Sequence, residues 1–160
     1  MRPVLWSLLL CTGGLLIGGC DGAGSQRASL YERLTGTGAW SVERLEGGIN
    51  YTPQLNDRYP EGVTIEFRDS ENGRTYRIAA PRAEDSTEVI AEGIVTLRRN
   101  SGLEMSTGFG PRGPVVWTYR FEASRAIFSL RFGSRAFLRA LFSGESQDES
   151  LEMTLAPTEE

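Results

Sequence analysis

From Ala39 onward the chain alternates apolar and polar residues with a period of two, the pattern of strands that bury one face. Trp40 and Val42 alternate with Ser41 and Glu43 in a first predicted strand. Val63, Ile65 and Phe67 alternate with Thr64, Glu66 and Arg68 in a second. Asn72-Gly73 follows, a pair that tolerates positive φ and predicts a hairpin into a third strand through Tyr76 and Ile78. In a fourth strand Val89, Ala91, Gly93, Val95 and Leu97 share one face, and a glycine in its middle predicts a bend or bulge. Asn100-Ser101-Gly102 turns the chain into a fifth strand carrying Leu103, Met105 and Thr107. The sixth has the clearest pattern: Val115, Trp117, Tyr119 and Phe121 face one way, Val116, Thr118, Arg120 and Glu122 the other. Ala126, Phe128, Leu130 and Phe132 repeat it in a seventh strand, and Leu151, Met153 and Leu155 form the last.

Three stretches depart from this period. Ser29 to Leu34 spaces Leu30 and Leu34 four apart behind a cap-like Ser29, which predicts one helical turn covering an end of the domain. Glu46 to Pro60 is long and polar and is expected to be a loop that shapes a binding mouth. After Ser134, a candidate N-cap, Phe137, Leu138, Leu141 and Phe142 fall at helical spacing, with Arg135 and Arg139 on another face. The expected fold is therefore all-β. Eight antiparallel strands over residues 29–157 close into an up-and-down barrel, with one short helix before the last strand. A β-sandwich is the alternative.

The first 21 residues follow different rules. Arg2 is followed by an apolar run from Val4 to Ile17 and then by small residues up to Cys20, the order of charge, core and cleavage site in a secretory signal. Ile17-Gly18-Gly19-Cys20 resembles the lipobox of bacterial lipoproteins. The resemblance implies a signal peptide over 1–19, diacylation (palmitate-type chains) on the Cys20 sulfur, and an acylated new amino terminus. Residues 20–28 then form the lipidated cysteine and a flexible Gly/Ser tether, Gly22 to Gln26. Each buried CH₂ contributes about 0.8 kcal/mol, so two or three acyl chains anchor firmly where one does not. The expected address is the cell envelope, facing the periplasm or exterior, with the choice between inner and outer membrane left open.

Composition narrows the chemistry. The 160-residue chain has no histidine, its 17 basic residues are all arginine, and 21 acids leave it at net charge −4. That balance argues against nucleic-acid binding. Both cysteines, Cys11 and Cys20, belong to the leader or its cut site, so the usual general base and thiolate nucleophile are missing from the domain. No enzyme and no cofactor is expected. Gly108-Phe109-Gly110-Pro111-Arg112-Gly113 matches G-x-G-x-x-G, but Pro114 and a β-branched strand follow where a dinucleotide site needs a helix. The loop reads instead as a hairpin connection, or as a lid with Phe109 and Arg112 at its tip. Asp69 to Gly73 lacks the acid that closes a calcium loop, and no metal site is expected. Glu84-Asp85 and Asp148-Glu149 read as solvated turn charges.

Gly38-Ala39-Trp40 resembles the Gly-x-Trp motif that opens the first strand of lipocalins and of lipocalin-like bacterial lipoproteins. The resemblance implies that Trp40 plugs the closed end of the barrel and that an arginine near the last strand covers it. Leu151 to Leu155 holds no arginine, which leaves Arg139 as a stand-in. It also implies a small hydrophobic ligand, for which Trp40, Phe109, Trp117, Tyr119, Phe121 and Phe128 are the candidate lining; a packed aromatic core is the other reading of the same residues. The expected function is a membrane-anchored carrier or holder of such a ligand. The alternative is a non-catalytic accessory subunit that docks on an unidentified envelope protein through an exposed Phe137, Leu138, Leu141 and Phe142 patch.

Overall fold

The computed structural model describes residues 22–82, 86–99, 101–110, 113–143 and 150–158. The leader with Cys20, Arg112 and the acid pairs Glu84-Asp85 and Asp148-Glu149 lie outside them. Eight strands form one closed antiparallel barrel: β1 (Ala39–Glu46), β2 (Thr64–Ser70), β3 (Gly73–Arg82), β4 (Ser86–Arg98), β5 (Gly102–Ser106), β6 (Val115–Glu122), β7 (Arg125–Phe132) and β8 (Glu152–Pro157). Each strand pairs with its sequence neighbour and β8 returns to β1, so the barrel has no unpaired edge. Among the described residues three helices accompany it: α1 (Gly22–Gly36), α2 (Thr52–Arg58) and α3 (Ser134–Phe142). The sandwich is thereby set aside, and α3 lies before the last strand as the spacing of its apolar residues predicts.

Alternating strand direction sorts the connections between two ends. The base carries α1, the start of β1 and the β2–β3, β4–β5 and β6–β7 turns. The top carries the β1–β2 connection with α2, the β5–β6 loop and α3. At the base the Tyr31 hydroxyl donates to the Arg68 carbonyl at 3.1 Å, and Arg33 donates to the Ala123 carbonyl, so α1 is tied to two different hairpins. Tyr31 and Leu34 are buried beneath it.

Several expectations change on contact with the fold. Gly22 to Gln26, read as a flexible tether, is the first part of α1. The polar Glu46–Pro60 stretch contains α2, where Pro53 occupies an initial position that tolerates a missing N–H and Leu55 is the buried anchor. The cap of α3 falls on Gly133, whose φ of 93° suits glycine, rather than on Ser134. Phe132 points outward and is 60% exposed, because Val116 pairs with Phe132 while Trp117 pairs with Leu130. The extra residue in β7 is a bulge, and it moves Phe132 to the solvent face. A second irregularity between Ile78 and Ala79 does the same to Val89, which pairs with Ala79 and is exposed. At Gly93 the ladder runs without a break. A Cβ there would lie 2.1 Å from Thr107 Oγ1 and 2.2 Å from the Ser106 carbonyl, so glycine allows a close crossing rather than a bulge.

Candidate functional site

A connected set of rings runs through the inward face of the barrel, among buried aliphatic residues such as Leu45, Ile65, Ile78, Leu103, Met105 and Leu155. Trp40 contacts Phe121 at a centroid distance of 6.0 Å, and Phe121 meets Tyr119 edge-on at 6.2 Å. Tyr119 stacks on Phe128 at 5.3 Å, Phe128 stacks on Phe67 at 5.8 Å, and Trp117 stands edge-on to Phe128 at 6.1 Å. Toward the top Trp117 meets Phe137 of α3 at 4.9 Å and 82°, Phe137 meets Phe109 at 6.1 Å, and Phe109 stacks on Tyr76 at 5.6 Å. All six sequence-predicted residues therefore lie in one connected column of rings from base to top. Phe121 is half-buried and the other five are buried. Phe67, Tyr76 and Phe137 belong to the same column; the period-two pattern places the first two inward, but nothing in sequence places Phe137 against Trp117.

The base behaves as a plug. The Trp40 indole N–H donates to the Leu34 carbonyl at 2.9 Å, and the Arg33 guanidinium lies 4.0 Å from the Phe121 ring centroid. The arginine that covers this end thus comes from α1. Arg139, the expected stand-in, sits exposed in the last turn of α3 at the opposite end.

Trp117 is different. Its side chain is completely buried, and no acceptor among the described residues meets its Nε1 hydrogen. Cross-strand neighbours Leu103 and Leu130, and the rings of Phe128 and Phe137, surround it with carbon. Leaving one buried donor unpaired costs about 1–3 kcal/mol, and a ring face is a weak substitute for an oxygen. A buried donor left without a partner is unusual in a folded protein and calls for an explanation.

Above Trp117 lies a three-part cover. Phe137, Leu138 and Leu141 of α3 are buried against the barrel, so the exposed docking patch expected from them is not formed; only Phe142 is partly exposed. Phe142 stacks on Tyr51 at 5.9 Å. The Tyr59 hydroxyl donates to the Leu141 carbonyl at 3.0 Å, while Arg58 donates to the Phe142 carbonyl at 3.1 Å and to Ser143 Oγ at 2.9 Å. The last carbonyls of a helix have no intrahelical donors, and these two residues supply them from the C-terminal end of α2. The third part is the β5–β6 loop. Phe109 is buried rather than displayed at a lid tip, and the Tyr76 hydroxyl donates to the Thr107 carbonyl at 2.6 Å. Gly108 has φ +76° and leaves room for Glu92, whose carbonyl would lie 2.5 Å from an added Cβ. This glycine-rich loop runs into β6 rather than a helix, so it cannot aim a helix N-terminus at a phosphate.

Burial pushes the Tyr119 phenol up to about 12, against the opposing pull of the Arg74 charge. Burial also raises Tyr76, helped by Glu92, and Tyr31, helped by Asp69. Clefts of about 420 Å³ on the outer wall and about 640 Å³ at the rim mix charged side chains, among them Glu66, Arg68, Arg77, Arg58 and Glu88, with uncharged ones. Neither includes any of the six predicted residues. Asp69 of the calcium-like loop is engaged by Arg74 at 3.0 Å. Among the described residues no group of three or more carboxylates is placed to hold a metal ion, and no helix is long and apolar enough to cross a membrane.

No family model matches the chain, and no curated protein matches it either.

Proposed function

We propose that this protein is a lipid-anchored lipoprotein of the bacterial cell envelope whose barrel holds a small hydrophobic molecule without transforming it. The observation that carries the reading is the orphaned Trp117 N–H, buried under Phe137 of α3. A core selected only for packing gains nothing from an indole whose donor is left unpaired, since a phenyl ring fills much of the same space without that cost. The rings around it supply the apolar lining that small-molecule sites use, and the single donor supplies orientation. Phe137 occupies the position above Trp117, so entry requires α3 to lift. The Cys20 lipid places the barrel beside the bilayer from which such a molecule would come.

Native mass spectrometry of the full-length protein, extracted gently from membranes, tests the holding role. The expected result is a co-purifying mass of lipid-like size released by activation. Only the bare polypeptide mass, together with Trp emission unchanged by a fluorescent fatty-acyl probe, would overturn it. The anchor is tested separately: Cys20→Ala is expected to leave the membrane fraction, and retention there would contradict lipid attachment.

A further inference from the structure

We infer that the molecule held in the barrel is uncharged and carries a hydrogen-bond acceptor, of the ester, amide or ketone kind, which is received by Trp117 Nε1. This rests on the holding role proposed above and adds the chemistry that the lumen selects. Around Trp117 the described residues of the interior offer one unpartnered donor and no charged side chain, whereas the Tyr119 phenol, another donor in the column, feels the Arg74 charge at the base. Among the described residues Ser134 is the only buried side chain outside the apolar and aromatic set, and no Arg, Asp or Glu is buried. The guanidiniums nearest the column are engaged away from Trp117: Arg33 lies over Phe121 at the base, and Arg58 is spent on the end of α3. Arg74 lies 5.4 Å from the Tyr31 ring and pairs with Asp69, also at the base.

A carboxylate or phosphate drawn into that space would shed its water for a single neutral N–H, a loss that drives a group to bind in its neutral form instead. A neutral carbonyl faces no such loss, and it gives the indole the partner that the fold does not supply. A plain hydrocarbon would fill the space but leave the donor as it is. Selection therefore runs toward neutral acceptors and against both anions and alkanes.

The test is equilibrium dialysis of the full-length protein in mild detergent, with the same detergent on both sides so that partition into micelles cancels. Methyl decanoate and decanoate are the probes. A carboxyl of ordinary pKa, about 4.3, is neutral in roughly one molecule in five hundred at pH 7. Decanoate is accordingly expected to bind about five hundredfold more weakly than the ester at pH 7, and to gain about tenfold for each unit the pH falls toward its pKa. The ester is expected to show no such slope. Trp117→Phe is expected to weaken the ester by roughly two- to tenfold, the worth of one neutral hydrogen bond. Equal binding of decanoate and ester by the wild-type protein at pH 7 would overturn the neutral-ligand inference while leaving the holding role standing. Unchanged ester affinity in a folded Trp117→Phe protein would overturn the role of the indole. Binding of neither probe would remove the holding role itself.

Discussion

Tyr59→Phe isolates the catch that holds α3 over the barrel. The substitution keeps the ring and removes one hydroxyl, whose 3.0 Å bond to the Leu141 carbonyl is buried. Losing a neutral hydrogen bond costs about 1 kcal/mol, and leaving the buried acceptor unmet can raise that to about 3 kcal/mol. The penalty falls on the closed state alone, because in a lifted helix the carbonyl meets water. The population of lifted α3 is therefore expected to rise by roughly 5- to 150-fold. Amide hydrogen exchange reads it, because a nine-residue helix detached from the barrel is too short to hold its shape and frees the amides of Phe137 and Ser143 from their bonds of 3.0 Å and 2.9 Å to the Gly133 and Arg139 carbonyls. In Tyr59→Phe these amides should exchange faster by that factor, while amides in the β6–β7 ladder keep their rates. Adding Arg58→Ala should extend the effect, because it removes the donors to the Phe142 carbonyl and Ser143 Oγ. Unchanged rates in α3 would refute the catch. An equal rise across α3 and the strands would show that the helix opens only with the whole barrel.

Other outcomes follow from the same geometry. Gly108→Ala combines a positive φ with a 2.5 Å approach to the Glu92 carbonyl, whereas Gly110 has φ +74° and open space around it. Both should lower the thermal midpoint, Gly110→Ala by a left-handed backbone cost of about 1–2 kcal/mol and Gly108→Ala by clearly more; equal losses would contradict the close approach. Phe128→Ala should cost about 3–5 kcal/mol in denaturant unfolding, while Phe132→Ser should stay within about 0.5 kcal/mol, because the bulge turns Phe132 to solvent. The Tyr119 phenol, raised to about 12 by burial, loses its proton more readily in the unfolded chain, where phenols ionise near 10. The folded state then binds more protons over that interval, so its stability is full below pH 10 and falls as the pH climbs toward 12. Phenolate absorbance and circular dichroism followed together should change in the same range; complete ionisation near pH 10 in a still-folded protein would contradict the burial of Tyr119.

The strands were legible because alternation is a local property: one face meets the core and the other meets water, whatever the partners. Trp40, Phe67, Tyr76, Trp117 and Phe128 all lie where the period places them. Phe132 and Val89 escaped because a bulge is set by the pairing of two strands, and neither strand alone carries its mark. The helix α2 left a trace in Thr52-Pro53, with proline at a helix start, but seven mostly polar residues around a single buried Leu55 give too little period to read. The rings of the candidate site were visible as residues and not as a column. Phe137 reaches Trp117, and Tyr59 reaches Leu141 across 82 positions of sequence, only once the barrel has closed and placed α2 and α3 at the same end. No local pattern encodes such contacts. The unmet Trp117 donor is further removed still, since it is defined by what all its neighbours lack.

The indole resonances of ¹⁵N-labelled full-length protein test the central claim most directly, because the two tryptophans of the barrel differ in one respect. Trp40 already donates to the Leu34 carbonyl at 2.9 Å, whereas Trp117 donates to nothing among the described residues. On titration with methyl decanoate the Trp117 Nε1–H signal is expected to move downfield as it gains an acceptor, while the Trp40 signal stays in place. A Trp117 signal that holds its position at saturating ester would contradict the account.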